Sequence, residues 1–267
     1  MDRTAWTELP PAARESVEKH TGPVDHADTA DKGVMSRLAC TLHSHSGRVF
    51  LKGTRLNDAE AWMYDYEARV TRCAPRAPRV LWQVEAGGWL LVGYEFLSAR
   101  HPGLAPGSAD LASLVDTLTA MSAAPWPGDV RKKPLHVRWA GFFPDGHTHH
   151  LEGAALAHTD VSSLNMIAAT DGIRLLDWAL ACPAPDWTDT AFAVVRLVAA
   201  GHTLEQAEEI ARRVPAYRAA TPAALTTFAD TVCAVWESRA KVDPLPHRAP
   251  LIAAARDWAA YRAFATA

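Results

Sequence analysis

The segment of residues 157–179, AHTDVSSLNMIAATDGIRLLDWA, constrains the fold of this chain more than any other part of the sequence. Two short apolar runs flank a Thr170-Asp171-Gly172 turn, and an Asp-Gly turn between apolar runs is typical of a β-hairpin. Asn165 stands at the entrance of this hairpin and Asp177 at its exit. Because the two open ends of a hairpin meet, we expect these side chains to lie close together, near Asp160.

The polar side chains of this segment have the chemistry that phosphoryl transfer requires. Asp160 lies five positions before Asn165, and a carboxylate there can orient a substrate hydroxyl and accept its proton. Asn165 and Asp177 offer oxygen atoms that can hold the Mg²⁺ ion bridging the phosphates of ATP. Such residues are also common in ordinary turns, so the hairpin context carries this interpretation.

The segment resembles the catalytic core of the aminoglycoside phosphotransferase family, which shares the protein-kinase fold. The family pattern is His-Gly-Asp, four residues, Asn, and then Asp-Trp after a hairpin. Here it reads His158-Thr159-Asp160, Asn165 and Asp177-Trp178, with Thr159 in the place of the usual glycine. Asp189-Thr190-Ala191 is similar to the Asp-Leu-Ala that opens the next helix of that family.

The resemblance implies an α+β, two-lobed protein-kinase-like fold with a β-rich N-lobe and a mainly helical C-lobe. Residues 1–97 would form the nucleotide-binding lobe, and residues 98–267 the catalytic and acceptor-binding lobe.

Local patterns agree with this order of elements. After a lead-in helix and a loop over the first thirty residues, the sequence predicts strands at 35–42, 48–52, 80–84 and 89–96. A helix capped by Asn57 or Asp58 would follow the second strand and present Ala59, Trp62, Met63, Tyr66 and Val70 on one apolar face. Beyond residue 103 the patterns are helical, with a Thr203/Gln206 capping box and a helix opened by Thr221-Pro222.

The same resemblance assigns residues to the cofactors ATP (or GTP) and Mg²⁺. Lys52, at the end of a strand, would contact the α- and β-phosphates and pair with Glu67, although the spacing leaves Glu60 as an alternative. Ser36 would contact phosphate. The backbone of Glu95 and Leu97 would bind the adenine edge.

Composition excludes several other classes of protein. The chain of 267 residues is 49% hydrophobic and 21% charged, which is ordinary for a soluble globular protein. A net charge of −3 argues against a nucleic-acid partner, and no apolar run is long enough to span a membrane. The four cysteines form no CxxC pair and indicate reduced thiols. We therefore expect a cytoplasmic protein, either a monomer or a homodimer.

The acceptor is expected to be a hydroxyl of a small molecule. Only about a dozen residues separate Asp177 from Asp189, which leaves little room for the activation segment of a protein kinase. An aminoglycoside, another antibiotic, or an amino-alcohol or sugar metabolite would fit. A cationic acceptor would suit the acids of the C-terminal region, which are Asp186, Asp189, Glu205, Glu208, Glu209, Asp230 and Glu237.

Three alternatives stay open at this point. The chain could be a pseudokinase-like module that binds nucleotide with little catalysis, although Lys52, Asp160, Asn165 and Asp177 are all present. A metal-dependent hydrolase using His158 and Asp160 would lack further ligands at suitable spacing. The histidines of DGHTHHLEG, residues 145–153, could bind a metal, although a solvated loop is the commoner explanation for such a cluster.

Overall fold

The computed structural model describes residues 3–30, 36–98, 100–143, 147–243 and 248–266. The chain forms two compact units. The first comprises Met1–Cys73, Ala77–Ser98 and the short segment Asp177–Ala179. The second comprises Ala74–Arg76, Ala99–Leu176 and Leu180–Ala267.

The first unit is built on a five-stranded antiparallel sheet in the order β1-β2-β3-β5-β4. Helix α1 contacts β4, and helix α2 contacts β3, β4 and β5. The bounds of these elements are α1 Pro11–Thr21, β1 Val24–Thr29, β2 Leu38–Ser44, β3 Gly47–Arg55, α2 Ala61–Cys73, β4 Val80–Ala86 and β5 Trp89–Glu95.

Alternation along the strands gives the sheet two different faces. Leu51 and Leu91 lie in a core cluster that also contains Val17 of α1. The next residue on each strand, Lys52 or Val92, lies on the opposite face, and these two residues are cross-strand partners. Val92 packs there with Ala68 of α2. The position of Lys52 in the strand therefore directs its side chain towards α2.

Strand β1 was not expected from the sequence, which predicted a loop there. Its sequence, VDHADT, is polar and largely exposed, so its own pattern is weak. The strand exists because its backbone pairs with β2 along the edge of the sheet. Strand β2 runs over Leu38–Ser44 rather than 35–42, and residue 35 lies outside the described residues.

Helix α2 differs from expectation in the face that it buries. Trp62 is 57% exposed, whereas Tyr64, Tyr66, Glu67 and Val70 are buried. The predicted face was therefore wrong by about one position at its start. Apolar spacing cannot reveal this shift, because the buried Glu67 belongs to the packed face.

The second unit contains seven helices and two small two-stranded sheets in its described part. Strand β6 pairs with β9, and β7 pairs with β8. The long helices α8 and α9 pack on each other, and α5 packs on α6 and α9. The elements are α3 Asp110–Ser122, α4 Leu135–Arg138, β6 Ala155–Ala157, β7 Met166–Ala169, β8 Gly172–Leu175, β9 Cys182–Ala184, α5 Thr188–Ala199, α6 Leu204–Arg212, α7 Pro215–Ala219, α8 Pro222–Val242 and α9 Ala249–Thr266.

The hairpin predicted around the Asp-Gly turn is confirmed as β7 and β8. Gly172 has a φ of 121°, a conformation that residues with a β-carbon rarely adopt, which explains the glycine at this turn. The capping box of Thr203 with Gln206 is confirmed at the start of α6. Thr221 caps α8, also as predicted.

A buried carboxylate connects three helices of the second unit, α6, α7 and α9. Glu208 of α6 is fully buried, and its Oε1 accepts hydrogen bonds from Tyr217 Oη at 3.2 Å and Trp258 Nε1 at 2.9 Å. Arg262 Nη1 lies 3.3 Å from the same oxygen, and Arg212 Nη2 lies 3.4 Å from Oε2. Buried ions of this kind are stable only as a set, because each one left alone would be uncompensated.

Across the described residues, no helix is both long and apolar enough to cross a membrane. Cys40, Cys73, Cys182 and Cys233 are all free thiols.

Candidate active site

The loop that carries Asp160 begins directly after β6 and is organised by a buried histidine. His158 is fully buried, and its Nε2 donates to the carbonyl of Leu176 at 2.8 Å. Its Nδ1 accepts the backbone N–H of Asp160 at 3.2 Å. Since both ring nitrogens are engaged, His158 positions the loop, and it is not available as a ligand for a hydrolytic metal ion.

Asp189 holds the backbone of the same loop from the first turn of α5. Its buried carboxylate accepts the N–H of His158 at 2.7 Å and that of Thr159 at 2.8 Å. Burial raises the pKa of Asp189, and His158 together with the two N–H donors opposes that rise. The residue that the resemblance placed at the start of this helix therefore fixes the loop that carries Asp160.

Thr159 occupies the position where the resembled family has glycine. Its φ is 63°, in the left-handed region that a β-branched residue rarely adopts. The Oγ1 of Thr159 donates to the carbonyl of Leu180 at 2.8 Å. The hydrogen bonds that Asp189 accepts and the bond that the Thr159 hydroxyl donates hold the backbone in a conformation that is strained for threonine. Glycine would adopt this conformation without strain.

Asp160 and Asn165 are brought together within the second unit. Asn165 Nδ2 donates to both the carbonyl and the Oδ2 of Asp160, each at 3.0 Å. Arg196 of α5 places Nη2 3.3 Å from Asp160 Oδ1. The side chain of Asp160 remains 39% exposed, so it can meet a substrate. In the described structure no donor binds Oδ1 of Asn165, and a free amide oxygen is a ligand that Mg²⁺ accepts.

In the first unit, one lysine joins two carboxylates. Lys52 Nζ donates to the two oxygens of Glu67 at 2.8 and 2.7 Å and to Asp177 Oδ1 at 3.1 Å. Glu67 also accepts the backbone N–H of Trp178. Glu60 is exposed and precedes α2, so the structure pairs Lys52 with Glu67.

The charges of this pair follow from burial and proximity. Burial by itself would lower the pKa of Lys52, but the carboxylates of Glu67 and Asp177 raise it above its usual range. Burial raises the pKa of Glu67, and the Lys52 ammonium opposes that rise. Lys52 is therefore a fixed positive charge in the physiological range, suited to binding phosphate.

Asp177 follows the last residue of β8 by two positions and belongs to the first unit. Its φ is 62°, and its side chain is 47% exposed despite the contact with Lys52. An accessible carboxylate held in an unusual backbone conformation fits a hard cation such as Mg²⁺.

The other residues predicted to contact a nucleotide are Ser36, Glu95 and Leu97. Ser36 is half-buried in the segment before β2, next to residues outside the described range. Glu95 ends β5, and its carboxylate accepts the N–H and Nε of Arg79. Its backbone N–H donates to the carbonyl of Arg79 at 2.9 Å. Leu97 is half-buried in extended chain just after the strand. Their roles towards a nucleotide stay predictions.

Among the acids expected to attract a cationic acceptor, Asp230 is half-buried, and the others are bound elsewhere or exposed. Glu208 lies in the buried network of α6, Asp189 holds loop N–H groups, and Glu237 pairs with Arg256. Arginines also lie near Asp160, Arg196 foremost, and sequence reasoning missed them. Arg196 follows Asp189 by seven positions on a helix, so the two-turn spacing could have indicated a shared face.

Two groups of histidines come together outside this site. The rings of His147, His149 and His150 have ligand atoms within 4.8 Å of one another, which brings together the cluster noted in the sequence. His26, Asp28 and His43 form a second group on β1 and β2. That group was not visible in the sequence, because strand pairing assembles it.

Comparison with known proteins gives the fold. No family model matches the chain, and no curated protein matches it. A thermostable mutant of an aminoglycoside phosphotransferase, solved with AMP-PNP and hygromycin B, aligns with a TM-score of 0.61 at 15% identity over 95% of this chain and 98% of that chain. Choline kinase from Streptococcus pneumoniae aligns with a TM-score of 0.61 at 11% identity over 93% of this chain and 98% of its own.

A third solved structure agrees with these two. Spectinomycin phosphotransferase, in complex with ADP and spectinomycin, aligns with a TM-score of 0.60 at 13% identity over 96% of this chain and 98% of its own. These structural neighbours are small-molecule phosphotransferases. The predicted α+β class is confirmed, and the chain has the protein-kinase-like fold of the aminoglycoside phosphotransferases.

Proposed function

We propose that this protein transfers the γ-phosphoryl group of ATP, or of GTP, to a hydroxyl group of a small molecule. The acceptor oxygen forms a bond to the γ-phosphorus while the bond to the β-phosphate oxygen breaks. The nucleoside diphosphate leaves with that electron pair, and the hydroxyl proton passes to Asp160. The products are a phosphate monoester and a nucleoside diphosphate.

This proposal rests on the hydrogen bonds that hold the four polar side chains needed for the chemistry. These side chains are Lys52, Asp160, Asn165 and Asp177. Lys52 is bound by Glu67 and Asp177 in one unit. Asp160 is bound by Asn165 in the other. Catalysis of phosphoryl transfer is mainly positioning and charge stabilisation, so held side chains of these types are the required parts. A module that only bound nucleotide would have no need of the Asp160 arrangement.

The residues take separate roles in this proposal. Asp160 accepts the proton, and Asn165 holds it through one hydrogen bond to its carboxylate and one to its backbone carbonyl. Lys52 binds phosphate oxygens as a fixed charge, oriented by Glu67. Asn165 and Asp177 would hold Mg²⁺, which neutralises charge on the phosphates when bound. Ser36 and the backbone of Glu95 and Leu97 are proposed nucleotide contacts.

Nucleotide turnover by the purified protein tests the proposal. Nucleoside diphosphate formation is measured with ATP or GTP and Mg²⁺, with and without a panel of hydroxyl compounds, and the phosphorylated product is identified by mass spectrometry. Acceptor-dependent turnover is expected. Nucleotide binding without turnover for any acceptor would instead favour the pseudokinase-like alternative.

The partner of Lys52 can be tested by two matched substitutions. We expect Glu67→Gln to lower kcat/KM for ATP by about tenfold, since the lysine remains but loses a charge-assisted hydrogen bond of about 1.5 kcal/mol. Glu60→Gln, an exposed carboxylate on the same segment, is expected to leave kcat/KM unchanged. Steady-state kinetics over a range of ATP concentrations provides the measurement. Damage by Glu60→Gln with a silent Glu67→Gln would reverse the assignment.

We expect the loss of each of the two proposed metal ligands to weaken nucleotide binding to a different extent. We expect Asp177→Ala to weaken Mg²⁺-dependent nucleotide binding by about tenfold or more, because a charged ligand is lost, and Asn165→Ala to weaken it less. Calorimetric titration of an ATP analogue, with Mg²⁺ and with EDTA, measures the metal-dependent part. The assignment would be wrong if both variants kept the wild-type difference between the two titrations.

A further inference from the structure

Four arginines of the second unit form a group next to Asp160. Arg196 contacts Asp160, Arg138 contacts the carbonyl of Leu180, and Arg239 interacts with the charges of Arg138, Arg248 and Asp160. The four arginines come from three helices and the segment before α9, so the sequence gives no sign of their proximity. We call this group the arginine cluster. Its members are Arg138 of α4, Arg196 of α5, Arg239 of α8 and Arg248.

Arg196 contacts the proposed base itself. Its Nη2 lies 3.3 Å from Asp160 Oδ1, and its guanidinium lies 5.4 Å from the ring centre of Trp236. The Nε of Arg196 is buried, and within the described structure it has no hydrogen-bond partner. The Nη2 end of Arg196 therefore places positive charge beside the carboxylate that a substrate would meet.

Arg138 is tied to the same loop through a shared carbonyl. Its Nη1 donates to the carbonyl of Leu180 at 2.9 Å, and the Oγ1 of Thr159 donates to that carbonyl as well. Thr159 is the neighbour of Asp160 in the chain. Arg138 is thus placed beside the catalytic loop by a direct hydrogen-bonded link.

Arg239 lies close to other members of the arginine cluster. Burial lowers the pKa of this arginine, and the positive charges of Arg138 and Arg248 lower it further, while Asp160 opposes them. The side chain nevertheless reaches solvent. Holding like charges near one another costs free energy unless a counter-charge is supplied.

The carboxylates near the arginine cluster do not balance it. Asp160 pairs with Arg196, and Asp243 lies 3.5 Å from Arg248. In the part of the chain that the structure describes, no carboxylate pairs with Arg138 or Arg239. Orienting Asp160 would require only one of these arginines. Asp189, the other carboxylate on this loop, is bound to the N–H groups of His158 and Thr159, so among the described residues it pairs with neither Arg138 nor Arg239.

We propose that the acceptor is an anionic compound: a small molecule that carries a carboxylate or phosphate group in addition to the hydroxyl that is phosphorylated. The inference rests on the proposed phosphotransfer and specifies its substrate class. The planar guanidinium group binds both kinds of anion through paired hydrogen bonds. This class differs from the cationic acceptor that the acids of the sequence had indicated.

The test uses acceptors that share a scaffold and differ in charge. One series is glycerol, glycerol 3-phosphate and the amine serinol, and the other is glucose, glucose 6-phosphate, gluconate and glucosamine. Each compound is assayed for phosphorylation with ATP and Mg²⁺, and for direct binding by calorimetry in the absence of nucleotide. Anionic members are expected to bind at least about tenfold more tightly than the neutral member of their series, and more weakly as salt rises. Comparison of gluconate with glucose 6-phosphate distinguishes a carboxylate from a phosphate as the preferred group.

Arg239→Glu tests the arginine cluster directly. It is expected to raise the KM of the preferred anionic acceptor by about tenfold or more, the loss of one charge-assisted hydrogen bond, with the KM of ATP unchanged. Arg213→Glu makes the same charge change at an exposed position at the end of α6 and should leave both constants unchanged.

The outcomes separate this inference from the proposed function. Preferential phosphorylation of the neutral or amino compounds would overturn the anionic acceptor and leave the phosphotransferase standing. If no compound is phosphorylated, the proposed function fails in this panel, and calorimetry still decides the inference. Anions that bind no better than the neutral members, or that bind Arg239→Glu as well as wild type, would overturn it.

Discussion

Replacing Asp160 with asparagine is expected to lower phosphoryl-transfer turnover by ~10²–10⁴, the range for loss of a general base, while leaving nucleotide affinity nearly unchanged. Asparagine keeps an oxygen that can accept the Nδ2 hydrogen bond of Asn165, so the loop geometry should persist. It cannot accept the hydroxyl proton. Single-turnover kinetics measures the chemical step, and calorimetry measures nucleotide affinity.

Asp186→Asn is the matched control for this prediction. Asp186 is an exposed aspartate of the same unit, and its replacement should leave turnover unchanged. Wild-type turnover in Asp160→Asn would remove Asp160 from the role of base. A fall in nucleotide affinity as large as the fall in turnover would show that the residue acts in binding instead.

The second prediction with a large effect concerns the free energy of unfolding when Glu208 is replaced. We expect Glu208→Ala to lower the free energy of unfolding of the second unit by about 3–5 kcal/mol, because the buried Arg262 would lose the carboxylate that balances its charge. Trp258 and Tyr217 would lose an acceptor in the same step. Urea unfolding followed by tryptophan fluorescence gives the shift of the midpoint.

Glu209→Ala provides the control on the same helix. Glu209 is exposed, so its loss should change the unfolding free energy by no more than about 0.5 kcal/mol. Glu208→Gln should fall between the two, since it keeps the hydrogen bonds but not the charge. Equal midpoints for Glu208→Ala and Glu209→Ala would show that the buried network contributes nothing to stability.

The Asp160 and Glu208 substitutions also distinguish a residue expected to act in turnover from a residue expected to act in stability. Asp160 is 39% exposed and its replacement should not affect folding, whereas Glu208 is fully buried and has no contact with the catalytic loop among its described bonds. Loss of turnover with retained stability, and loss of stability with retained turnover per folded molecule, are the expected results.

The sequence by itself determined the features that depend on neighbouring residues. The hairpin around Gly172 needs only two apolar runs and a turn that tolerates positive φ. The caps at Thr203 and Thr221 need only a hydroxyl three residues before a backbone N–H. Lys52 faces α2 because strand residues alternate, so its pairing with a carboxylate of that helix could be predicted to within two candidates.

The tertiary structure alone decided the features that join distant parts of the chain. Strand β1 is polar and forms because β2 offers it a backbone to pair with. Glu67 rather than Glu60 meets Lys52, because Glu67 lies on the packed face of α2, whereas Glu60 precedes the helix and is exposed. The members of the arginine cluster come from separate elements between residues 138 and 248. No local sequence pattern indicates contacts between residues so far apart in the chain. Local hydrogen bonding is set by residues a few positions apart, whereas the charge around Asp160 is set by how helices pack.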